Sequence, residues 1–418
     1  MHDVIVIGGG PAGSTAATLL TRKGFSVLLL ERERFPRFQI GESLLPYNND
    51  LFDRHGVSEH LNEGEFPPKY GATFVTGDGR VGYDFCFGRT LAPEYHRSFQ
   101  VKRALFDDLL LRNAKATGVD VHEETTVTSV TLDQPARVIV QTAGGDCHEA
   151  KFVIDASGHG AIVGSRVGAK SDVATLRKIA VFAHYKGVRR APGKEGGNTV
   201  IVVLRNAWFW LIPVGEDVMS VGLVVDRDHF VRSGLQPEEI LEQTIAKTPW
   251  VARRMANAER VTQVFARKDF SYRMRNIAGE NFALVGDAAG FLDPIFSTGV
   301  FMAMKSADMA ADAIETRLRH GSMRNLRQYE RQMTGALGKY FRFISNFYRR
   351  EFLEVFLQPS TRFGLLPVII GVLAGDVFST KRNRLRLALF FLLVRIQKAR
   401  PVIARPIAWE ALPSVASV

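Results

Sequence analysis

The sequence predicts an α/β fold: an open, three-layer Rossmann-like domain, a largely antiparallel sheet inserted into it, and a helical C-terminal part. Three observations predict it. The chain opens strand, glycine turn, helix, strand; later segments repeat the same apolar strand type; alternating, turn-punctuated stretches lie between them. DVIVIG (3–8) is an apolar, β-branched run that suits a strand buried on both faces. GGGPAG (8–13) supplies the turn, and STAATLLTRKG (14–24) has helical spacing and stops at Gly24. FSVLLLE (25–31) is the next strand, and KFVIDASG (151–158) and NFALVGDAAG (281–290) read as further strands of the same sheet. VTSVTLDQPARVIVQTAGGD (127–146), TVIVVL (199–204) and VMSVGLVVDR (218–227) suit the inserted sheet. From about residue 301 the pattern is helical to the end. The expected organisation is a domain over 1–340, with the inserted sheet drawn from about 69–100 and 170–265, followed by a helical region over 341–418.

With 54 Lys+Arg against 43 Asp+Glu, the chain carries a net charge of +11. That excess suits an acidic partner: a carrier protein, an anionic membrane, or a phosphate-bearing cofactor. Nucleic acid is not expected, because no basic patch is interleaved with aromatics. Cys86 and Cys147 have neither metal-ligand nor CxxC spacing, so no metal site is expected and a reducing cytoplasm is the expected compartment. DVIVIG follows the first two residues directly, which argues against a secretion signal. No stretch reaches the ~18 uninterrupted apolar residues of a spanning helix.

Gly8-x-Gly10-x-x-Gly13 follows a strand and opens a helix, the context a dinucleotide site requires. Its glycines permit a tight turn, with Ala12 inside it, and let backbone approach a pyrophosphate at the helix N-terminus. Glu31 ends the second strand roughly 20 residues on, where an acid binds ribose hydroxyls. No second GxGxxG follows, so no separate nicotinamide domain is expected and electrons would arrive through another protein. ALVGDAAG (283–290) sets Asp287 just past a buried strand. It resembles the second flavin motif of the glutathione-reductase-type FAD fold, whose aspartate binds the ribityl chain. VKRALFDDLL (101–110) resembles the segment from which an arginine, here Arg103, reaches the flavin side, and DASG (155–158) resembles a third shared stretch. The resemblance spans residues 1–300 and implies an FAD-binding domain.

Four further stretches narrow the resemblance. GESLLP (41–46), KYGATF (69–74), AWFWLIPVG (207–215) and FLDPIFSTG (291–299) occur in the order found in the flavin-dependent halogenases. WxWxIP is met by Trp208, Trp210, Ile212 and Pro213; FxxPxxSxG is met by Phe291, Pro294, Ser297 and Gly299; Lys69 matches the essential lysine in its K-x-G context. On these motifs the chain closely resembles that family, in its phenol and pyrrole branch of the tryptophan-halogenase-like enzymes. The resemblance implies reduced FAD supplied by a separate reductase, O2, and chloride or bromide. Gly8, Gly10, Ala12, Gly13, Glu31, Gly41, Ser43, Arg103, Asp287, Pro294 and Gly299 would hold FAD, with Ser43 approaching the ring. Ser297, Thr298 and Gly299 would bind halide. Lys69 would deliver the halogen to the substrate, either by a hydrogen bond to hypohalous acid or as a haloamine.

The residue chemistry agrees with that assignment. Ser297-Thr298-Gly299 opens an apolar helical run, and a helix start presents free N–H groups to an anion. Lys69, after Pro67-Pro68, would on chemistry alone be an exposed surface lysine; only the motif makes it catalytic. On a strand Trp208 and Trp210 share one face and Phe209 takes the other. Two indoles there either pack the sheet or wall the flavin off from the substrate, so that a small oxidant passes and direct hydroxylation does not.

One departure bears on substrate. Tryptophan halogenases carry a glutamate directly before the motif serine, and here that position is Phe296. This argues against free tryptophan, while GESLLP together with Asp293-Pro294 resembles the phenol and pyrrole halogenases, several of which act on rings tethered to acyl or peptidyl carrier proteins. KRNRLRLALFFLLVRIQKAR (381–400) reads as a packed terminal helix, a dock for an acidic carrier, or a peripheral membrane contact. The alternatives are an FAD-dependent aromatic monooxygenase, which would reduce its own flavin, and a geranylgeranyl-reductase-like enzyme acting on double bonds, which would need neither halide nor Lys69.

Overall fold

The computed structural model describes residues 1–62, 66–134, 137–167, 170–359, 364–378 and 381–415. The first sheet has seven strands. Its parallel part runs Asp120–His122, Val27–Leu30, His2–Ile7, Cys147–Asp155 and Phe282–Leu284. Val4 to Val6 and Leu28 to Leu29 are fully buried, as strands covered on both faces must be. Helix Pro11–Arg22 packs between helices Arg103–Thr117 and Gly299–His320, the third layer of the expected architecture.

The stretch 127–146 is a correction to the sequence reading. Strands Val127–Gln134 and Arg137–Thr142 form an antiparallel meander on Cys147–Asp155, so they extend the first sheet instead of joining the inserted one. Their period-two pattern was read correctly as half-buried strand. What placed them was the short turn into Cys147–Asp155, which pairs them with their nearest neighbour in sequence.

The inserted sheet has nine strands. Its main path is Gly290–Phe291, Phe265–Met274, Lys170–Lys186, Val218–Asp226, Ala207–Pro213, Thr199–Val203, Gly71–Thr76 and Gly82–Cys86. It reaches past residue 265 to 274 and takes its last strand from the turn after Asp287. All seven residues of Ala207–Pro213 are buried. Phe209 faces a satellite core with Leu211 and Val221, while Trp208 and Trp210 face the main core.

Among the described residues, four α-helices follow Gly299–His320: Arg324–Phe347, Arg350–Leu357, Leu365–Ala374 and Lys381–Ala399. The first of them runs through residue 340, so a division at 340/341 would fall inside a helix. Aromatic packing joins these helices to the sheet: Phe296 lies 5.7 Å from Phe347, and Phe74 lies 4.9 Å from Phe356. On Lys381–Ala399, Phe390, Phe391 and Val394 are buried. Leu385 and Leu392 on its other face are 74% and 50% exposed. No helix among the described residues is long and apolar enough to cross a membrane.

Candidate active site

The glycine turn is built as a cradle. Gly8 takes a positive φ of 104°, and a Cβ there would meet the Ala156 carbonyl oxygen at 2.5 Å. A Cβ on Gly13 would lie 1.8 Å from the Gly8 carbonyl oxygen, so only glycine lets the helix start this close to the strand. Glu31 is buried; its carboxylate accepts from the Gly9 N–H at 2.6 Å and the Glu33 N–H at 2.8 Å. Arg37, which the sequence reading missed, lies over the turn, its guanidinium 3.4 Å from where a Gly10 Cβ would stand. Asp107 holds it there at 3.1 Å. An open backbone turn at a helix N-terminus, an arginine above it and an acid at the next strand end form the donor set for a pyrophosphate and its ribose. The residues present therefore fit FAD.

Two distant motifs meet at this turn: the Ala12 methyl would be 3.1 Å from a Cβ on Gly286, directly before Asp287. Asp287 is half-buried, 3.8 Å from His159, and its carbonyl accepts from the Tyr272 hydroxyl at 2.6 Å. Burial raises its carboxyl, and His159 and Arg103 pull it back down. Asp155 of DASG accepts the Ser157, Val163 and Gly164 N–H groups, so it fixes its own turn. Arg103 makes a bidentate pair with Asp107 at 2.7 and 2.9 Å and donates to the Ile40 carbonyl at 2.6 Å. Its local work is to hold the left-handed turn at Gly41, where a Cβ would meet the guanidinium at 2.9 Å.

Lys69 is not on the surface: it is 2% exposed. Its Nζ donates to the Ser43 hydroxyl at 2.8 Å and the Leu44 carbonyl at 3.0 Å, and it lies 5.6 Å from the Phe87 ring centre. The Ser43 hydroxyl contacts the Thr199 hydroxyl at 2.7 Å, which accepts from the Gln100 amide at 2.9 Å. Every partner is neutral. Burial alone pushes the Lys69 ammonium down to about 7. The cause of the misplacement is topological. Pro68–Lys69 pairs with Ser98–Phe99 in a small two-stranded sheet that turns the lysine inward, and no local pattern encodes that pairing. Ser43, expected to approach the flavin ring, here touches the lysine.

The FxxPxxSxG stretch forms a nest. Ser297 has φ 55° and Thr298 φ −81°, and no side chain caps helix Gly299–His320. The first-turn N–H groups have no intrahelical acceptor. Gly299 is exposed, with nothing within 4 Å of where its Cβ would stand. Such a left-handed/right-handed pair at a helix start attracts an anion. Pro294 begins the short turn into it, held by Asp293, whose carboxylate accepts from the Ile295 N–H at 3.1 Å.

Trp208 and Trp210 lie side by side, ring centres 6.0 Å apart. The Trp210 indole donates to the Ser220 hydroxyl at 3.1 Å, and a Cβ on Gly222 would strike its ring at 2.1 Å. The Trp208 indole donates to the Tyr348 hydroxyl at 2.9 Å, and that hydroxyl donates to Asp293 at 2.6 Å. Tyr348, missed in the sequence because it falls in the helical tail, thus ties the indole pair to the FxxPxxSxG stretch. Burial raises both the Tyr348 hydroxyl and the Asp293 carboxyl.

This geometry has counterparts. The tryptophan halogenase family model matches residues 3–95 and 88–352. The 1H-pyrrole-2-carbonyl-(peptidyl-carrier protein) chlorinase of Pseudomonas fluorescens is 30% identical over 408 residues, covering 91% of this chain and 90% of that protein. The corresponding brominase of Pseudoalteromonas luteoviolacea is 35% identical over 320 residues, covering 75% and 77%. Among solved structures, the flavin-dependent brominase Bmp2 aligns with a TM-score of 0.84 at 30% identity, covering 96% of this chain and 99% of its own. The flavin-dependent halogenase CmlS aligns with a TM-score of 0.80 at 31% identity, covering all of this chain and 74% of its own. The chain therefore belongs to the tryptophan halogenase family of flavin-dependent halogenases.

Proposed function

We propose that this enzyme chlorinates or brominates an electron-rich aromatic ring, phenolic or pyrrolic, presented on a carrier protein, with Lys69 transferring the halogen. The observation that carries the reading is a lysine buried among neutral acceptors. FAD, reduced by a separate reductase, supplies the oxygen activation that turns halide into an electrophile. Ser43 and the Leu44 carbonyl take two of the amine's N–H bonds and leave one tetrahedral position of Nζ for the incoming halogen. With its ammonium lowered to about 7 by burial, Lys69 supplies free amine near neutral pH, and a free amine attacks hypohalous acid to give a haloamine and water. The ring then takes the halogen from nitrogen and the amine is restored. Thr298 and Gly299 hold the halide by backbone N–H, and the residues named above at the glycine turn hold the cofactor. Trp208 and Trp210 keep the ring from the oxygen chemistry.

Phe296, packed on Phe74 and Phe347, makes the surroundings apolar where an ionic substrate would need a partner, which favours a neutral ring. The carrier reading draws on the two relatives whose names specify a carrier-tethered pyrrole. Helix Lys381–Ala399 suits an acidic carrier: no Asp or Glu occurs between Asp376 and Glu410. Two free cysteines suit a reducing cytoplasm.

The test supplies purified protein with FAD, an unrelated flavin reductase, NADH, air, bromide or chloride, and pyrrole or phenol thioesters of a carrier protein. Mass spectrometry then reads the halogen isotope pattern. Product that requires both protein and halide supports the reading. Direct flavin reduction by NADPH with no halogenated product overturns it in favour of a monooxygenase or reductase.

A further inference from the structure

Between Gly41 and Ser43 stands a second buried acid with a partner of its own. The Glu42 side chain is 1% exposed, and its Oε1 lies 2.9 Å from Nε2 of His184. Its other oxygen, Oε2, is buried with no hydrogen-bond partner among the described residues. His184 comes from the inserted sheet, on strand Lys170–Lys186, so the pair spans the two layers. The two ends of the pair differ. The imidazole is 13% exposed and sits 6.1 Å from the ring of Phe38, itself 38% exposed. Glu42 lies on the cofactor side: its carbonyl accepts from the Val101 N–H at 2.7 Å, and its charge acts on Arg103 together with that of Asp287. From the rim inward run Phe38, Phe182 and Trp210, each within 6.2 Å of the next.

A buried carboxylate oxygen left unanswered is costly, so an empty Oε2 calls for an explanation. The stoichiometry of the reaction offers one. Halogenation of a ring RH follows RH + X⁻ + O2 + FADH2 + H⁺ → RX + FAD + 2 H2O. Each turnover consumes one proton from outside, and the water-excluded site needs a route for it. Neither the Thr298–Gly299 backbone nor the indoles of Trp208 and Trp210 exchange protons near neutral pH.

We propose that His184 and Glu42 are the proton entry of this site. Water at the Phe38 rim protonates the imidazole on Nδ1, and Nε2 releases its proton to Oε1 of Glu42. Rotation of the carboxyl about its terminal bond, a broad torsion, turns the O–H inward. The proton leaves to an oxygen bound for water, the carboxylate returns to the imidazole, and water at the rim relays the remaining ring proton from Nδ1 back to Nε2, which resets the pair for the next turnover. The charge count closes: imidazolium and carboxylate become imidazole and carboxylic acid, and then imidazole and carboxylate once the proton is spent. The charged group on the cofactor side of the pair is Arg103, which feels the Glu42 carboxylate; Phe38, Phe182 and Phe265 on the rim side carry no charge. This assignment rests on the halogenase reading.

The test compares Glu42→Gln, His184→Gln and His184→Ala with the parent enzyme, measuring halogenated product and hydrogen peroxide per FADH2 consumed, FAD affinity and melting temperature. Removing a proton donor costs about 10²–10⁴-fold in rate. Each variant should therefore lose product by at least about 100-fold and divert FADH2 oxidation to hydrogen peroxide, with FAD affinity and melting temperature near those of the parent. Imidazole added to His184→Ala should restore product. Coupled halogenation in Glu42→Gln and His184→Gln at the parent level overturns the proposal. So does a loss that follows FAD affinity or melting temperature and resists imidazole, since that marks a structural tether. A parent enzyme that makes no halogenated product on any substrate overturns the functional reading itself, an outcome distinct from failure of the variants alone.

Discussion

Replacing Lys69 with methionine should stabilise the fold while destroying activity, and the gain should vanish with rising pH. Burial lowers the Lys69 pKa from 10.5 to about 7. The sign follows from proton counting. Between those two values the unfolded chain binds a proton that the folded chain does not, so wild-type stability rises with pH across that window. Below about pH 7 the folded enzyme must bury an ammonium, at a full cost of about 5 kcal/mol for a shift of this size. Methionine has similar length and no charge, so it escapes that cost. It also leaves the Leu44 carbonyl without its donor, a penalty of about 1–3 kcal/mol that does not change with pH. At pH 6.5 the linkage cost in the wild type is about 4–5 kcal/mol, and at pH 9.5 about 1–2 kcal/mol. The wild type should therefore gain about 3 kcal/mol on Lys69→Met between these pH values, whatever the fixed penalty. Urea unfolding of both proteins at pH 6.5, 8 and 9.5 reads this directly. A difference that stays constant with pH would refute the reasoning, because it would mean that Lys69 keeps an ordinary pKa in the folded protein.

Three other perturbations bear on the rest of the site. Tyr348→Phe deprives the Trp208 indole of its acceptor and Asp293 of its donor, and should cost about 1–3 kcal/mol in urea unfolding. It should also raise the fraction of FADH2 that ends as hydrogen peroxide, since it loosens the contact between the indole pair and the FxxPxxSxG stretch. Gly299→Val fills open space at the nest and should raise the halide KM by about tenfold or more, the equivalent of one lost charged hydrogen bond, with FAD affinity unchanged by fluorescence titration. Gly222→Ala drives a methyl into the Trp210 ring and should cost about 1–3 kcal/mol by overpacking, with a shift in tryptophan fluorescence.

What the sequence disclosed about this enzyme follows physical locality. The turn Gly8–Gly13, the acid Glu31 and the two-faced strand at Trp208–Trp210 are local devices, each set by residues within one βαβ unit or one strand. They were legible because a Cβ at Gly13 would collide with the Gly8 carbonyl, within the same turn, and a strand must alternate its faces. Lys69 was legible only by motif; its burial depends on Ser43, Ser98 and Thr199, which lie 26, 29 and 130 positions away in the chain. Arg37 and Tyr348 carry no local signature, being an arginine after a proline and a tyrosine in an apolar tail. Only the assembled layers bring them to Gly10 and Asp293. The meander at 127–142 shows the converse limit, because alternation announced a strand but could not say which sheet would accept it.

The site gains a common logic when its acids are traced. A buried lysine next to a carboxylate would keep its proton and lose its nucleophilicity. This interior contains several carboxylates, yet burial is the sole influence on Lys69. Each acid is already claimed. Asp107 is held by Arg103 and Arg37, Asp293 by Tyr348 and the Ile295 N–H, and Glu42 through one oxygen by His184. What remains for Lys69 is a serine hydroxyl and a backbone carbonyl, which orient the amine without charging it. Around the motif lysine the fold thus keeps the buried acids on partners of their own and leaves the amine with neutral ones. On the proposed function, the instability of the buried ammonium is what would make Lys69 reactive. On this account the partners of the acids matter to catalysis as much as the lysine's own neighbours. An acid released from its partner could turn toward Lys69 and raise its pKa, silencing it without touching it.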